Sequence, residues 1–263
     1  SRDTYGYNYL LLEKDTSISI NYQGKKFIIN DSLKNTLLLK FSPNFDSVIW
    51  IKVFPLRKNL YVKLFKIGLY LAGNIQGGRF TFNNTNYNFR SGINKGFLII
   101  IKGNGQFQHT QIINKDTTQN DNLLDIIAID TNQINITGYV EDSINYQNKW
   151  FSSPNKNPKK ALGFAYVGSI KTNNGANWFR IPNSKSGLAN FNQSNDPAER
   201  IALLEPDNLG NVYVSFCHDD SILQIGGLSD TFFGFQSLVK FDKYGNALSI
   251  RSYNYYLRDF KTK

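Results

Sequence analysis

The chain of 263 residues contains no methionine, one cysteine, two histidines and seven prolines. A lone Cys217 excludes an internal disulfide framework and leaves the redox compartment open. The lack of methionine predicts either a processed start or a piece excised from a longer chain. No stretch approaches the roughly 20 apolar residues that cross a bilayer as a helix. The opening SRDTYGYNYLLLEK has neither the basic start nor the small-residue cleavage site of a secretory leader. The reading is a soluble chain with no membrane span. The sequence motifs of common hydrolases are missing as well: there is no G-x-S-x-G, no H-E-x-x-H and no paired C-x-x-C. The glycine pairs Gly77-Gly78 and Gly226-Gly227, and the run GNGQ at 103–106, lack the strand-to-helix setting of a phosphate loop and read as turns. No cofactor is expected.

What is present is a globular composition, 41% hydrophobic and 14% aromatic, enough for one sizeable core or several stacked ones. The net charge of +10 invites an acidic partner. Lysine and arginine are nevertheless scattered, with small clusters only at Lys25-Lys26 and in KNPKK at 156–160. That spread disfavours nucleic acid, whose backbone selects a contiguous basic surface.

Two stretches read alike: SINYQGKKFIIN at Ser19 to Asn30 and AGNIQGGRFTFN at Ala72 to Asn83. Extended on both sides, they predict a unit of four short strands. First runs are YLLLE (Tyr9 to Glu13), YVKLF (Tyr61 to Phe65), DIIAID (Asp125 to Asp130) and RIALLE (Arg200 to Glu205). Second runs are SISIN (Ser17 to Asn21), LYLAGN (Leu69 to Asn74), INITGY (Ile134 to Tyr139) and VYVSF (Val212 to Phe216). All are short, rich in β-branched or aromatic residues, and bounded by turn formers. Third runs carry Lys40, Lys102, Lys171 and Lys240, followed by turns such as SPNFDS, GNGQ and DKYGN and a fourth run. Units are therefore expected at about 9–54, 61–113, 124–181 and 200–253. Helical periodicity is absent, apart from one turn's worth of polar residues at Pro197 to Arg200. Antiparallel meanders of this size, each unable to bury both faces alone, predict an all-β propeller of four blades forming one domain over 1–263, or an arc of a larger propeller. No closing strand is evident unless the tail YYLRDFK supplies it, and a partner that completes the ring is a further option.

The runs EPDNLGNVYVSF (Glu205 to Phe216), AIDTNQINITGY (Ala128 to Tyr139), SLVKFDKYGNALSI (Ser237 to Ile250) and YVGSIKTNNGANWF (Tyr166 to Phe179) resemble the SBBP-type β-propeller repeat. The resemblance implies a scaffold or recognition module in an extracellular, cell-surface or virion protein. It specifies fold more than function.

Candidates for chemistry are few. His218 and Asp220 alternate on one extended face and offer two metal ligands, too few for a site. His109 lies in an alternating strand. Asp125, Asp130, Glu205 and Asp207 recur near first strands, which raises a propeller hydrolase or lyase with a central acidic site as the alternative function. Acidic residues in such places more often cap turns. Sequons begin at Asn30, Asn83, Asn135 and Asn192, about the number so asparagine-rich a chain produces by chance. The long stretches Ser143 to Ala161 and Asn183 to Asp196 read as irregular connections and candidate binding rims. Within the first, Trp150 and Phe151 beside Lys149, with Lys159 and Lys160 further on, form the expected contact point for a protein or glycan. Self-association through exposed strand edges is a further expectation.

Overall fold

The protein is all-β in a computed structural model, which describes residues 5–14, 18–22, 25–29, 35–54, 61–65, 68–76, 78–115, 121–128, 133–141, 143–152, 164–171, 178–182, 204–217, 222–231 and 236–253. Every regular element among the described residues is a strand. The chain divides into two compact units, Ser1–Ile112 and Ile113–Lys263.

The first unit contains β1 (Asn8–Lys14), β2 (Ile18–Tyr22), β3 (Lys25–Ile29), β4 (Asn35–Phe41), β5 (Val48–Phe54), β6 (Tyr61–Phe65), β7 (Gly68–Gln76), β8 (Arg79–Phe82), β9 (Thr85–Asn88), β10 (Asn94–Ile101) and β11 (Phe107–Ile112). They form two antiparallel sheets, β1-β4-β5 and β6-β7-β10-β11, with the separate hairpins β2-β3 and β8-β9. The second unit contains β12 (Asp121–Ala128), β13 (Gln133–Val140), β14 (Ser143–Tyr146), β15 (Lys149–Ser152), β16 (Phe164–Lys171), β17 (Trp178–Arg180), β18 (Leu204–Pro206), β19 (Val212–Cys217), β20 (Ile222–Ile225), β21 (Leu228–Thr231), β22 (Gln236–Phe241) and β23 (Ala247–Tyr253). Its sheets are β12-β13-β16-β17 and β18-β19-β22-β23, with hairpins β14-β15 and β20-β21. Each module is thus a meander with a two-stranded hairpin inserted between its second and third strands.

Register identifies equivalent positions and corrects the sequence reading. One row runs Tyr9–Lys40–Trp50 in the first sheet, Tyr70–Ile100–His109 in the second and Tyr213–Lys240–Ser249 in the fourth. In all three the outer strand is bulged one residue later, after Lys40, Ile100 or Lys240. So β1, expected as a first strand, holds the second-strand place of β7 and β19. SISIN, expected as a second strand, belongs to the hairpin β2-β3. The first sheet has three strands among the described residues, where its counterparts have four. Lys102 lies two residues beyond the place of Lys40 and Lys240, which Ile100 fills.

The two stretches that read alike, 19–30 and 72–83, are also not an equivalent pair. Residues 19–29 cover the hairpin β2-β3, whereas 72–83 cover the end of β7 and all of β8. The true counterpart of SINYQGKKF at 19–27 is SINYQNKWF at 143–151, identical at seven of nine positions. Glutamine and glycine suit both kinds of junction, so composition matched two different corners. The expected turn at Pro197 to Arg200, the stretch 183–196 and the tail after Tyr253 lie outside the described residues.

Within each unit the two sheets meet through one recurring contact. The last strand of the leading sheet carries a tryptophan, and it lies over a glycine in the final turn of the following sheet. A Cβ at Gly105 would stand 2.9 Å from Cδ1 of Trp50, and one at Gly245 2.5 Å from Cδ2 of Trp178. Both glycines have positive φ, +84° and +83°, so the turn itself also favours them. A basic side chain ties each seam. The Lys40 ammonium donates to the Gly103 carbonyl at 2.8 Å, and Arg180 Nε donates to the Gly245 carbonyl at 2.8 Å. Trp178 Nε1 adds a bond of 3.2 Å to the Lys243 carbonyl. Behind the seam of the first unit lies a core that includes Leu38, Phe54, Leu71, Phe82, Phe97 and Ile99, drawn from both sheets and a hairpin. Burying each such side chain contributes about 1.5–3 kcal/mol.

Candidate functional site

The stretch from Ser143, expected as an irregular connection, begins with the hairpin β14-β15. Its two turn residues, Gln147 and Asn148, have φ of 49° and 63°, the pair of left-handed conformations that matches strand twist in a two-residue turn. Asn83-Asn84 and Gly226-Gly227 close their hairpins in the same way. Side chains then alternate. Ile144, Tyr146 and Phe151 face the sheet, and both aromatic rings sit 5.1 Å from the ring of Phe179 in β17. Phe179 in turn lies across Gly168, where a Cβ would be 2.4 Å from its ring.

Asn114 clamps the hairpin from the side. Its Nδ2 donates to the Ser143 carbonyl at 2.9 Å, its Oδ1 accepts from the Asn145 N–H at 3.0 Å, and the Lys115 N–H donates to the Asn145 carbonyl at 2.9 Å. The outward face therefore presents the cross-strand pair Asn145 and Trp150 on a fixed base. Trp150 is 57% exposed. The buried Oδ1 of Asn145 has no hydrogen-bond partner among the described residues. Lys149 is exposed beside the turn.

The predicted contact residues thus separate. Trp150 and Lys149 reach the surface, while the half-buried Phe151 faces inward and anchors the hairpin. Lys159 and Lys160 lie outside the described residues, as do His218, Asp220 and Asp130. His109 stands in β11 opposite Ile100, and Asp125 in β12 opposite Thr137. Glu205 is half-buried in β18. Two of the sequons differ sharply in accessibility: Asn83 is exposed at a hairpin tip, and Asn135 is buried in β13.

Asp207 organises a turn. Its carboxylate accepts from the N–H groups of Leu209 and Asn211, each at 2.9 Å, from Asn211 Nδ2 at 2.8 Å, and pairs with the Lys240 ammonium at 3.1 Å. Burial pushes this carboxyl up, but the hydrogen bonds from Asn211, Lys240 and Leu209 outweigh it and hold it below its ordinary value. Lys240 is raised, first by Tyr213 and then by Asp207. Asp242 repeats the arrangement, accepting from the N–H groups of Tyr244 and Asn246 and from Asn246 Nδ2, each at 2.8 Å. These aspartates shape hairpin tips.

Among the described residues, no three or more histidine, cysteine, aspartate or glutamate side chains converge as a metal-binding group. A cleft of about 340 Å³ at the hairpin β20-β21 is lined by Ile181, Gln224, Ile225, Gly226, Gly227, Leu228 and Ser229, none of them ionisable. No described helix is long and apolar enough to cross a membrane. Sequence reasoning missed the hairpins as a recurring element, although the near-identity of 19–27 and 143–151 signals it. No protein-family model matches the chain, and no curated protein matches it.

Proposed function

We propose that the chain is a non-enzymatic recognition module, built as an SBBP-like β-propeller of four blades, that grips a glycan or a protein surface through Trp150. The observation that carries this reading is the exposure of Trp150 on a hairpin whose other aromatic residues, Tyr146 and Phe151, are both turned inward onto Phe179. An exposed indole on a clamped hairpin is a preorganised platform, whose binding costs little side-chain ordering. A sugar ring laid on the indole would stack its apolar face there, with Asn145 as the cross-strand neighbour on the same face. An extracellular, cell-surface or virion setting suits such a module.

The propeller reading rests on the repetition of sheet, inserted hairpin and tryptophan–glycine seam. In the second, third and fourth sheets the first strand is the next described strand after the preceding sheet's last one. The segment after β23 is the next in that series, and among the described residues the first sheet is the one short of a first strand.

The test uses the first hairpin as a guide. That hairpin carries Lys26 where the third carries Trp150, so Trp150→Lys keeps a residue the hairpin framework already accepts. The wild-type protein, labelled and applied to an array of neutral and acidic oligosaccharides, is expected to bind a subset of them. The variant is expected to lose at least about 2 kcal/mol of that binding, the lower bound for an anchoring aromatic, with its thermal unfolding unchanged. Undiminished binding by the variant would contradict the assignment, and a wild type that binds no sugar would remove the glycan half of it.

A further inference from the structure

Three of the large apolar side chains exposed on the described surface gather at one end of the fourth sheet: Leu209 at 81%, Tyr244 at 66% and Leu248 at 50%. Leu209 lies in the turn joining β18 and β19, and Tyr244 in the turn joining β22 and β23. Pairing of Pro206 with Val212, of Val212 with Phe241 and of Phe241 with Ala247 brings both turns to the same end of the sheet. Leu248 follows directly in β23. Adjacent strands are about 4.8 Å apart, so the two tips stand roughly 10 Å from each other.

These tips are built rigidly. Each apolar residue precedes a glycine of positive φ, Gly210 or Gly245, and its N–H is bound by an aspartate, Leu209 by Asp207 and Tyr244 by Asp242. The carboxylates are consumed inside the turns, Asp207 with Lys240 as its counterion. The tips show outward Leu209, Tyr244 and Lys243, flanked by the exposed Asn208 and Asn246, and the Lys243 ammonium lies 5.1 Å from the Tyr244 ring centroid. The equivalent place in the second sheet is the polar Asn104. Turn geometry therefore does not require an apolar residue there.

We propose that this end of the fourth sheet is a peripheral membrane-docking surface, which inserts Leu209 and Tyr244 into an anionic bilayer. A stable protein partner needs about 800 Å² on each side, and two projecting tips with one neighbouring leucine offer a small, convex contact. A lipid interface asks only that a few apolar side chains enter it. Leucine suits the acyl boundary, tyrosine the headgroup level, and lysine the lipid phosphates. The net charge of +10 draws the protein towards a negatively charged leaflet. Docking of this kind is independent of Trp150.

The experiment is co-sedimentation of the whole chain with vesicles of phosphatidylcholine alone and of phosphatidylcholine with phosphatidylserine as a minor component. Wild type is expected to sediment with the second and much less with the first. The double variant Leu209→Ser, Tyr244→Ser changes only exposed side chains, so it should fold as wild type does by circular dichroism and bind about tenfold more weakly. Three outcomes would overturn the proposal: no sedimentation of wild type with either vesicle, equal sedimentation with both, or undiminished sedimentation of a folded double variant. The last would mean that net charge alone holds the protein to the surface.

Discussion

Gly245 and Gly210 share a backbone conformation, with φ of +83° and +80°, and differ in what lies above them. A Cβ on Gly210 meets nothing within 4 Å, whereas one on Gly245 would press into the Trp178 indole at 2.5 Å. Gly210→Ala should therefore lose only the left-handed penalty of about 1–2 kcal/mol. Gly245→Ala should lose that and a further 1–3 kcal/mol for forcing the ring off its seat. Urea unfolding of the two variants measures the difference, and equal losses would mean that the indole moves aside without cost. Asp207 supports a pH prediction. Its carboxyl is held below the ordinary value in the folded chain, so its contribution to stability is complete above about pH 4 and fades as the pH falls through the lowered value. Asp207→Asn should be less stable than wild type at neutral pH and should lose less on acidification. Parallel acid limbs in the two proteins would contradict that role.

At the scale of the element, the strands were legible because short β-branched and aromatic runs between turn formers have few other readings. Register was not legible, since it depends on which neighbour a strand meets. The first strand of the first sheet is the clearest case: YLLLE looks like any first run, and only its pairing with β4 shows it in a second-strand place. The hairpins were hidden by their own chemistry. Asparagine, glutamine and glycine close a two-residue turn and also fill a loop, so SINYQNKWF read as the start of a long connection. Of the expected contact residues, Trp150 is exposed, in keeping with its polar sequence neighbours, while the inward turn of Phe151 follows from strand alternation, which becomes visible once the hairpin is known. The tips at Leu209 and Tyr244 went unnoticed because D-x-x-G-N announces a turn whatever stands before its glycine.

The whole molecule repeats one design with graded variation. The tryptophan–glycine seam occurs inside each compact unit, between the first and second sheets and between the third and fourth. A propeller closed through the segment after β23 predicts that removing residues 254–263 lowers the unfolding free energy by roughly 3 kcal/mol or more, the worth of several backbone hydrogen bonds. An unchanged unfolding curve would place the closing strand elsewhere. The most direct measurement on the propeller itself is small-angle X-ray scattering of the monomeric chain in solution. A closed ring of four blades is compact and should give a radius of gyration of about 18 Å, the value for a folded chain of this length. A radius above about 22 Å, well outside that expectation, would mean that the two units stand apart as an open arc and would contradict the account.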